Sequence, residues 1–261
     1  MNKLLVVLAA LSLISCKKDN VIEITTKDIP NDTKVEILTS EIGNPMPTVV
    51  ASGVIKDGKV EIENPFKEFD EGYLTIGEDK RTNVFFVAEP GRITVDITKD
   101  KPTETVIGGT ENNEKLQKLQ TESKSLTEKL MNFMKDHQME LGMLSQSNKP
   151  EDKATLDKLQ GEFNGYVDQI KVIFKKYQDQ NKNSEFGLML FYQQMMSQQD
   201  GFDKVKEEFE KFSPELKASK IGKKVSTMLE MTQTMNTPQL PEGAGAEQAA
   251  AAGEQAHNHA H

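Results

Sequence analysis

The hydrophobic period of this chain changes once, near residue 110, and that change divides what the two halves can become. Before it, short apolar runs alternate with turn residues. They are Val35-Glu36-Ile37-Leu38, Thr48-Val49-Val50-Ala51, Val54-Ile55 and Val60-Glu61-Ile62, then Tyr73-Leu74-Thr75-Ile76, Val84-Phe85-Phe86-Val87, Ile93-Thr94-Val95-Asp96-Ile97 and Thr105-Val106-Ile107. Runs of this length at roughly 8–12-residue spacing predict strands of an antiparallel sandwich or open barrel. Asp57-Gly58, between two alternating runs, is the strongest short hairpin signal in the chain. Ile93 to Ile97 alternates strictly, as a strand with one buried and one wet face does.

From Asn112 the period becomes helical. Leu116, Leu119, Ser123, Leu126, Leu130, Phe133 and His137 are spaced by threes and fours, and so are Leu156, Leu159, Phe163, Tyr166, Ile170, Ile173 and Tyr177. Such stripes form seams between helices crossing at a shallow angle. The polar link at residues 145–150 joins them, with Pro150 suited to a first helical turn. A long antiparallel helical hairpin follows, each arm about 30 residues and about 45 Å long. Ser184 predicts the cap of a third helix, the segment from Asp203 to Phe212 a fourth, and Ser213-Pro214 the start of a fifth running to about Met235. The expected fold is α+β, with an antiparallel β-domain over 21–109 and a helical domain over 110–236. Residues 237–261 are Ala-, Gly- and His-rich and are expected to be disordered.

The first residues carry an address. Lys3 precedes an apolar run over residues 4–14, and Leu13-Ile14-Ser15-Cys16 follows. This is the pattern of a secretory signal peptide, too short for a transmembrane helix. A cysteine directly after the cleavage point is the pattern of a bacterial lipoprotein. Residues 1–15 are expected to be removed, Cys16 to be acylated, and residues 16–20 to link the anchor to the β-domain. Several acyl chains give stable anchoring where one gives marginal binding. Lys17 is not the aspartate that commonly retains such proteins in the inner membrane, which favours the outer membrane of the cell envelope and leaves the leaflet open.

Composition removes several classes. The net charge is −9, which repels nucleic acid as a partner. Cys16 is the only cysteine, so once it is acylated no thiol chemistry remains. The chain has no tryptophan, which weakens any case for stacking sugars. No EF-hand spacing, Walker loop, Gly-x-Ser-x-Gly or His-Glu-x-x-His occurs.

Five segments together resemble a family of Bacteroidota lipoproteins. They are Ala51 to Val60, Phe85 to Gly91, Ile107 to Asn113, Asn183 to Gly187 and Ser213 to Gly222. In that family an N-terminal domain of unknown function (DUF4369-like) precedes a helical insert and then a thioredoxin-like thiol:disulfide interchange domain. The resemblance covers roughly residues 20–236. It implies a β-domain followed by helices. It also implies that a thioredoxin-like domain would begin near Thr237-Pro238, where this chain has its short tail. The Cys-x-x-Cys of thiol exchange has no matching position, so no catalytic residue is carried over.

The remaining candidates are weak ones. His257, His259 and His261 could take Zn²⁺ or Cu²⁺, although a flexible run offers no fixed geometry. Ten of the twelve methionines fall between Met131 and Met235. Met228, Met231 and Met235 share one helical face, which suits an adaptable partner-binding surface, gap-filling in a core, or copper(I). His137 on the first apolar stripe is expected to be a boundary histidine satisfied by a neighbour. Glu207-Glu208 and the acidic run Glu68, Asp70, Glu71 are expected to be solvated. The expected function is non-enzymatic, without a cofactor: a lipid-anchored binding or scaffold module with an envelope protein as partner. Edge strands or the Met-rich helices are the expected contact surfaces. Metal capture by the histidine tail, or regulation of a thiol:disulfide interchange lipoprotein, are the alternatives.

Overall fold

A computed structural model describes residues 19–41, 46–77, 82–197 and 202–236. Among the described residues there are two four-stranded sheets and six α-helices. The first sheet has the order β4-β1-β7-β8, from Lys59–Glu63, Val21–Lys27, Ile93–Thr98 and Val106–Gly108. The second has the order β3-β2-β5-β6, from Thr48–Val54, Lys34–Thr39, Asp70–Ile76 and Thr82–Ala88. The α+β class is as expected, and the sheets do not close into a barrel. Ile22, Ile24, Val35, Ile37, Leu74, Phe86, Ile93 and Val95 are fully buried in the shared core.

Strand β1 is central to the first sheet and was not among the strands read from sequence. It pairs β4 antiparallel, but it pairs β7 in parallel, Ile22 opposite Ile93 through Lys27 opposite Thr98. The expected all-antiparallel pairing therefore has one parallel exception. The runs Thr48 to Ala51 and Val54 form the single strand β3.

The Asp57-Gly58 turn forms as predicted, with φ of 49° and 73°, the two left-handed positions that a type I′ hairpin needs. Its role is to fold the chain over from one sheet to the other, since β3 and β4 belong to different sheets. Gly58 O accepts from Thr26 N at 2.7 Å, which ties the corner to β1. At the diagonal end, the turn after β6 carries the chain back to the first sheet. Asn64, fully buried, donates to Glu89 O and Gly91 O, both at 2.9 Å, and accepts from Phe66 N.

Helices α1 (Glu111–Leu144) and α2 (Pro150–Gln180) form the expected hairpin, with 34 and 31 residues. Leu116, Leu119 and Ser123 are buried, whereas Leu126 and Leu130 further along are only half-buried. Phe133 lies 6.3 Å from the ring of Phe163 and 6.1 Å from that of Tyr166. Near the base, Glu122 of α1 receives Lys176 at 2.7 Å and the Tyr177 hydroxyl at 3.0 Å from α2. Helix α3 (Glu185–Ser197) is apolar around its first two turns, with Phe186, Leu188, Met189 and Leu190 fully buried. Helix α4 (Phe202–Glu210) closes over it through the rings of Phe191, Phe209 and Phe212.

The single helix expected from Ser213 to about Met235 is two: α5 (Pro214–Ala218) and α6 (Lys220–Asn236). Ser213 caps the first as predicted, its hydroxyl accepting from Leu216 N at 3.3 Å. Ser219 then turns to ψ 168° and caps the second, its hydroxyl accepting from Gly222 N at 3.2 Å. A side-chain oxygen that competes with the helical ladder breaks the run there.

Candidate functional site

The sandwich is sealed on one long side by the β3–β4 corner. On the other side the edges β6 and β8 face one another without pairing. Helix α1 starts in this gap because the chain leaves β8 through Gly109. Gly109 has φ +89°, and a Cβ there would lie 2.4 Å from Arg92 O, so only glycine fits. Two carboxamides from the first turns of α1 then cover both edges. Asn113 Oδ1 accepts from Val87 N at 2.8 Å, and its Nδ2 donates to Val87 O at 2.8 Å. Gln117 Oε1 accepts from Ile107 N at 2.6 Å. These side chains fill the places that a paired strand's backbone would take.

Past that seal the gap opens into a cleft of about 640 Å³. Its sheet wall is Asn83, Val84, Phe85, Ile97 and Thr98, with Thr105 and Val106 beside them, and its helical wall is Gln120, Thr121, Lys124, Thr127 and Met131. On α1 the residues 113, 117, 120, 124, 127 and 131 form one stripe, displaced by one position from the apolar seam. The apolar period could not show this stripe, because it is mostly amides and hydroxyls. The rim carries Asp100 and two ion pairs, with Lys101 3.0 Å from Glu104 and Lys124 3.9 Å from Glu128. Thr103 donates to Glu128 Oε1 at 3.1 Å and braces the rim to α1. Amides, hydroxyls and aliphatic groups of this kind hold a ligand by hydrogen bonds and contact.

A second polar constellation lies inside the molecule and corrects the sequence reading. Asp70 and Glu71 were expected to be solvated, yet they are 0 % and 3 % exposed. The reason is position: β5 is central in its sheet, and α6 lies over its start. Lys224, itself buried, reaches Asp70 at 2.5 Å and Glu71 at 3.8 Å. Lys220 reaches Asp70 at 2.8 Å, and Thr39 donates to it at 2.8 Å. Burial pushes the Asp70 carboxyl up, but the hydrogen bonds from Lys220 and Lys224 outweigh it and hold the group below its usual range. Burial wins at Glu71 and raises it, although Lys224 and Gln193 oppose the rise. Burial, with the nearby Glu71, also raises the Tyr73 and Tyr192 hydroxyls. A cluster so enclosed holds α6 to the sheet. Its sequence signal was Lys224 beside the buried Ile221 and Val225.

The other predicted residues scatter. Cys16, His257, His259 and His261 lie outside the described residues. Met228 is half-buried on α6 and Met231 is 44 % exposed. Met235 belongs to the same helix, but its side chain is outside the described set. His137 sits at a boundary as expected, its Nδ1 3.0 Å from Glu140 and its ring 4.8 Å from that of Phe133. Glu207 and Glu208 are exposed. Among the described residues no group of three or more His, Cys, Asp or Glu is placed to hold a metal ion. No helix among them is long and apolar enough to cross a membrane.

The architecture defines the class as an α+β protein in which a two-sheet sandwich has its open side capped by a helical hairpin. Over residues 21–116 the chain matches the family described as Domain of unknown function (DUF4369). The match takes in both sheets and α1 as far as Leu116, hence Gly109 and Asn113 but not Gln117. The segments at Asn183 and Ser213 that joined the sequence resemblance lie beyond it. No curated protein and no solved structure matches the chain.

Proposed function

We propose that this chain is a lipid-anchored cell-envelope protein that binds or scaffolds an envelope partner without catalysing a reaction. The observation that carries the reading is the cleft between the β6 and β8 edges, about 640 Å³ and walled by amides, hydroxyls and aliphatic side chains. A cleft of this size can bury a ligand and orient it by a few placed polar groups. The anchor rests on residues 1–16, where the basic start, the apolar run and Cys16 follow one another. Acylation at Cys16 would hold the β-domain close to a membrane surface, within reach of other envelope proteins.

Labelled palmitate incorporated by the wild type and not by Cys16→Ala tests the anchor. A photo-crosslinker placed at Asn83, in the cleft, and at Lys153, on the exposed hairpin, tests the binding. The reading expects a partner captured from the cleft position in the anchored form and absent from the Lys153 control. Hydrolase or oxidoreductase turnover by the full chain would overturn it.

A further inference from the structure

The open half of the β6 edge has a backbone with a definite hydrogen-bonding parity. Glu71 pairs with Val87, Tyr73 with Phe85 and Thr75 with Asn83 across β5 and β6. In an antiparallel pair the residues alternate between bonding their neighbour and pointing away from it. Val87 points away, since both its N–H and its C=O go to Asn113. By the same parity Phe85 and Asn83 direct their N–H and C=O groups outward, into the cleft. Among the described residues none outside the sheet bonds these groups.

We infer that the cleft takes an extended segment of a protein partner, bound through its main chain as an added strand on β6. The inference rests on the binding reading above and gives its partner a chemistry. Three observations on the molecule select this occupant. The outward groups at Asn83 and Phe85 are the donor–acceptor pairs that a strand satisfies. At the next position along the edge a carboxamide already occupies the site and makes both bonds, so a planar amide fits between β6 and α1. On the β8 side Gln117 makes one such bond, its Oε1 accepting from Ile107 N. Finally, the lining charges offset, Asp100 and Glu104 against Lys101 and Lys124, so the site offers an incoming segment little net charge. The segment's side chains would be neutral, alternating between the Gln120 and Thr127 wall and the Val84 and Ile97 floor.

A library of random heptapeptides selected on the full chain tests this. The selected peptides should slow amide hydrogen exchange at Asn83 and Phe85. N-methylation at alternate peptide residues should abolish binding. Asn83→Pro removes one outward N–H beneath an exposed side chain, and should weaken binding about fivefold or more, as for one main-chain hydrogen bond of ordinary strength. Thr127→Trp, which fills the groove without touching a strand, should block the peptides and keeps the test valid if the proline variant misfolds. No selected peptide, or peptides indifferent to N-methylation and to both variants, overturns the inference. A partner crosslinked only through α6 or the hairpin tip also overturns it, while leaving the broader binding reading in place.

Discussion

Replacing Lys224 by methionine isolates the ionic core between β5 and α6. Methionine keeps most of the stem volume, so the change is mainly one of charge. Lys224 lies 2.5 Å from Asp70 and 3.8 Å from Glu71, and all three residues are buried. At an effective dielectric of about 20 these contacts are worth roughly 4–7 kcal/mol each before desolvation, which cancels most of that. Removing one partner of a buried pair costs about 3–5 kcal/mol, because the remaining charge stays buried. Asp70 keeps Lys220 at 2.8 Å, so Glu71 bears most of the loss. The expected destabilisation is therefore about 3 kcal/mol, at the lower end of that range. Urea unfolding followed by circular dichroism measures it, with the m-value unchanged. Adding Glu71→Gln to Lys224→Met leaves Asp70 and Lys220 as a neutral pair and should recover about half the loss or more. A single variant that loses less than about 1 kcal/mol, or a double variant no more stable than the single, would refute the reasoning.

Four further outcomes follow from the same geometry. Glu71 is raised above 4.5 in the fold, so its contribution to stability falls as pH climbs through that raised value, whereas Asp70, held below 3.8, loses its contribution only as pH falls further. Glu71→Gln should remove the falling limb above 4.5 and leave the acid loss intact, read from urea midpoints across the pH series. Asn113→Ala strips both partners from Val87 and should cost about 2–4 kcal/mol, with self-association through the bared edge detectable by sedimentation. Gly109→Ala meets Arg92 O at 2.4 Å with φ at +89° and should cost at least about 1–2 kcal/mol in thermal unfolding. Phe133→Ala should cost about 3 kcal/mol of local stability, raising hydrogen exchange along the hairpin tip and leaving the sheets protected.

How much of this was legible in the sequence varies by element. The switch of period near residue 110 marks where β8 gives way to α1, because half-buried strands and amphipathic helices write different apolar spacings. Asp57-Gly58 was legible as a turn, but not as a corner between sheets, since its residues fix local dihedrals and not the partner of each strand. Strand β1 is hard to read because Val21-Ile22-Glu23-Ile24 directly follows the residues expected to link the anchor to the β-domain. Its parallel partner β7 begins 66 residues after β1 ends, a pairing that no local pattern reports. The break at Ser219 is legible in retrospect as a second capping serine three residues before Gly222. Asp70 and Glu71 misled because their neutralising lysines are far away in the chain. The cleft was invisible for a simpler reason: its helical wall is polar, and a polar stripe looks like solvent exposure until a sheet edge is set against it.

The distance along the chain between those ionic partners also bears on how the protein assembles. Asp70 precedes Lys224 by 154 residues. At roughly 5–20 residues per second, a chain made from its N-terminus has both sheets' strands available about 6–25 seconds before α6 exists. For that interval Asp70 and Glu71 have no Lys220 or Lys224, and their charges must stay hydrated. A nascent sheet with two hydrated carboxylates on its central strand resists stacking on another sheet. The same residues that later hold α6 in place would thus act earlier as a guard against misassembly, dismissed when the C-terminal helix arrives.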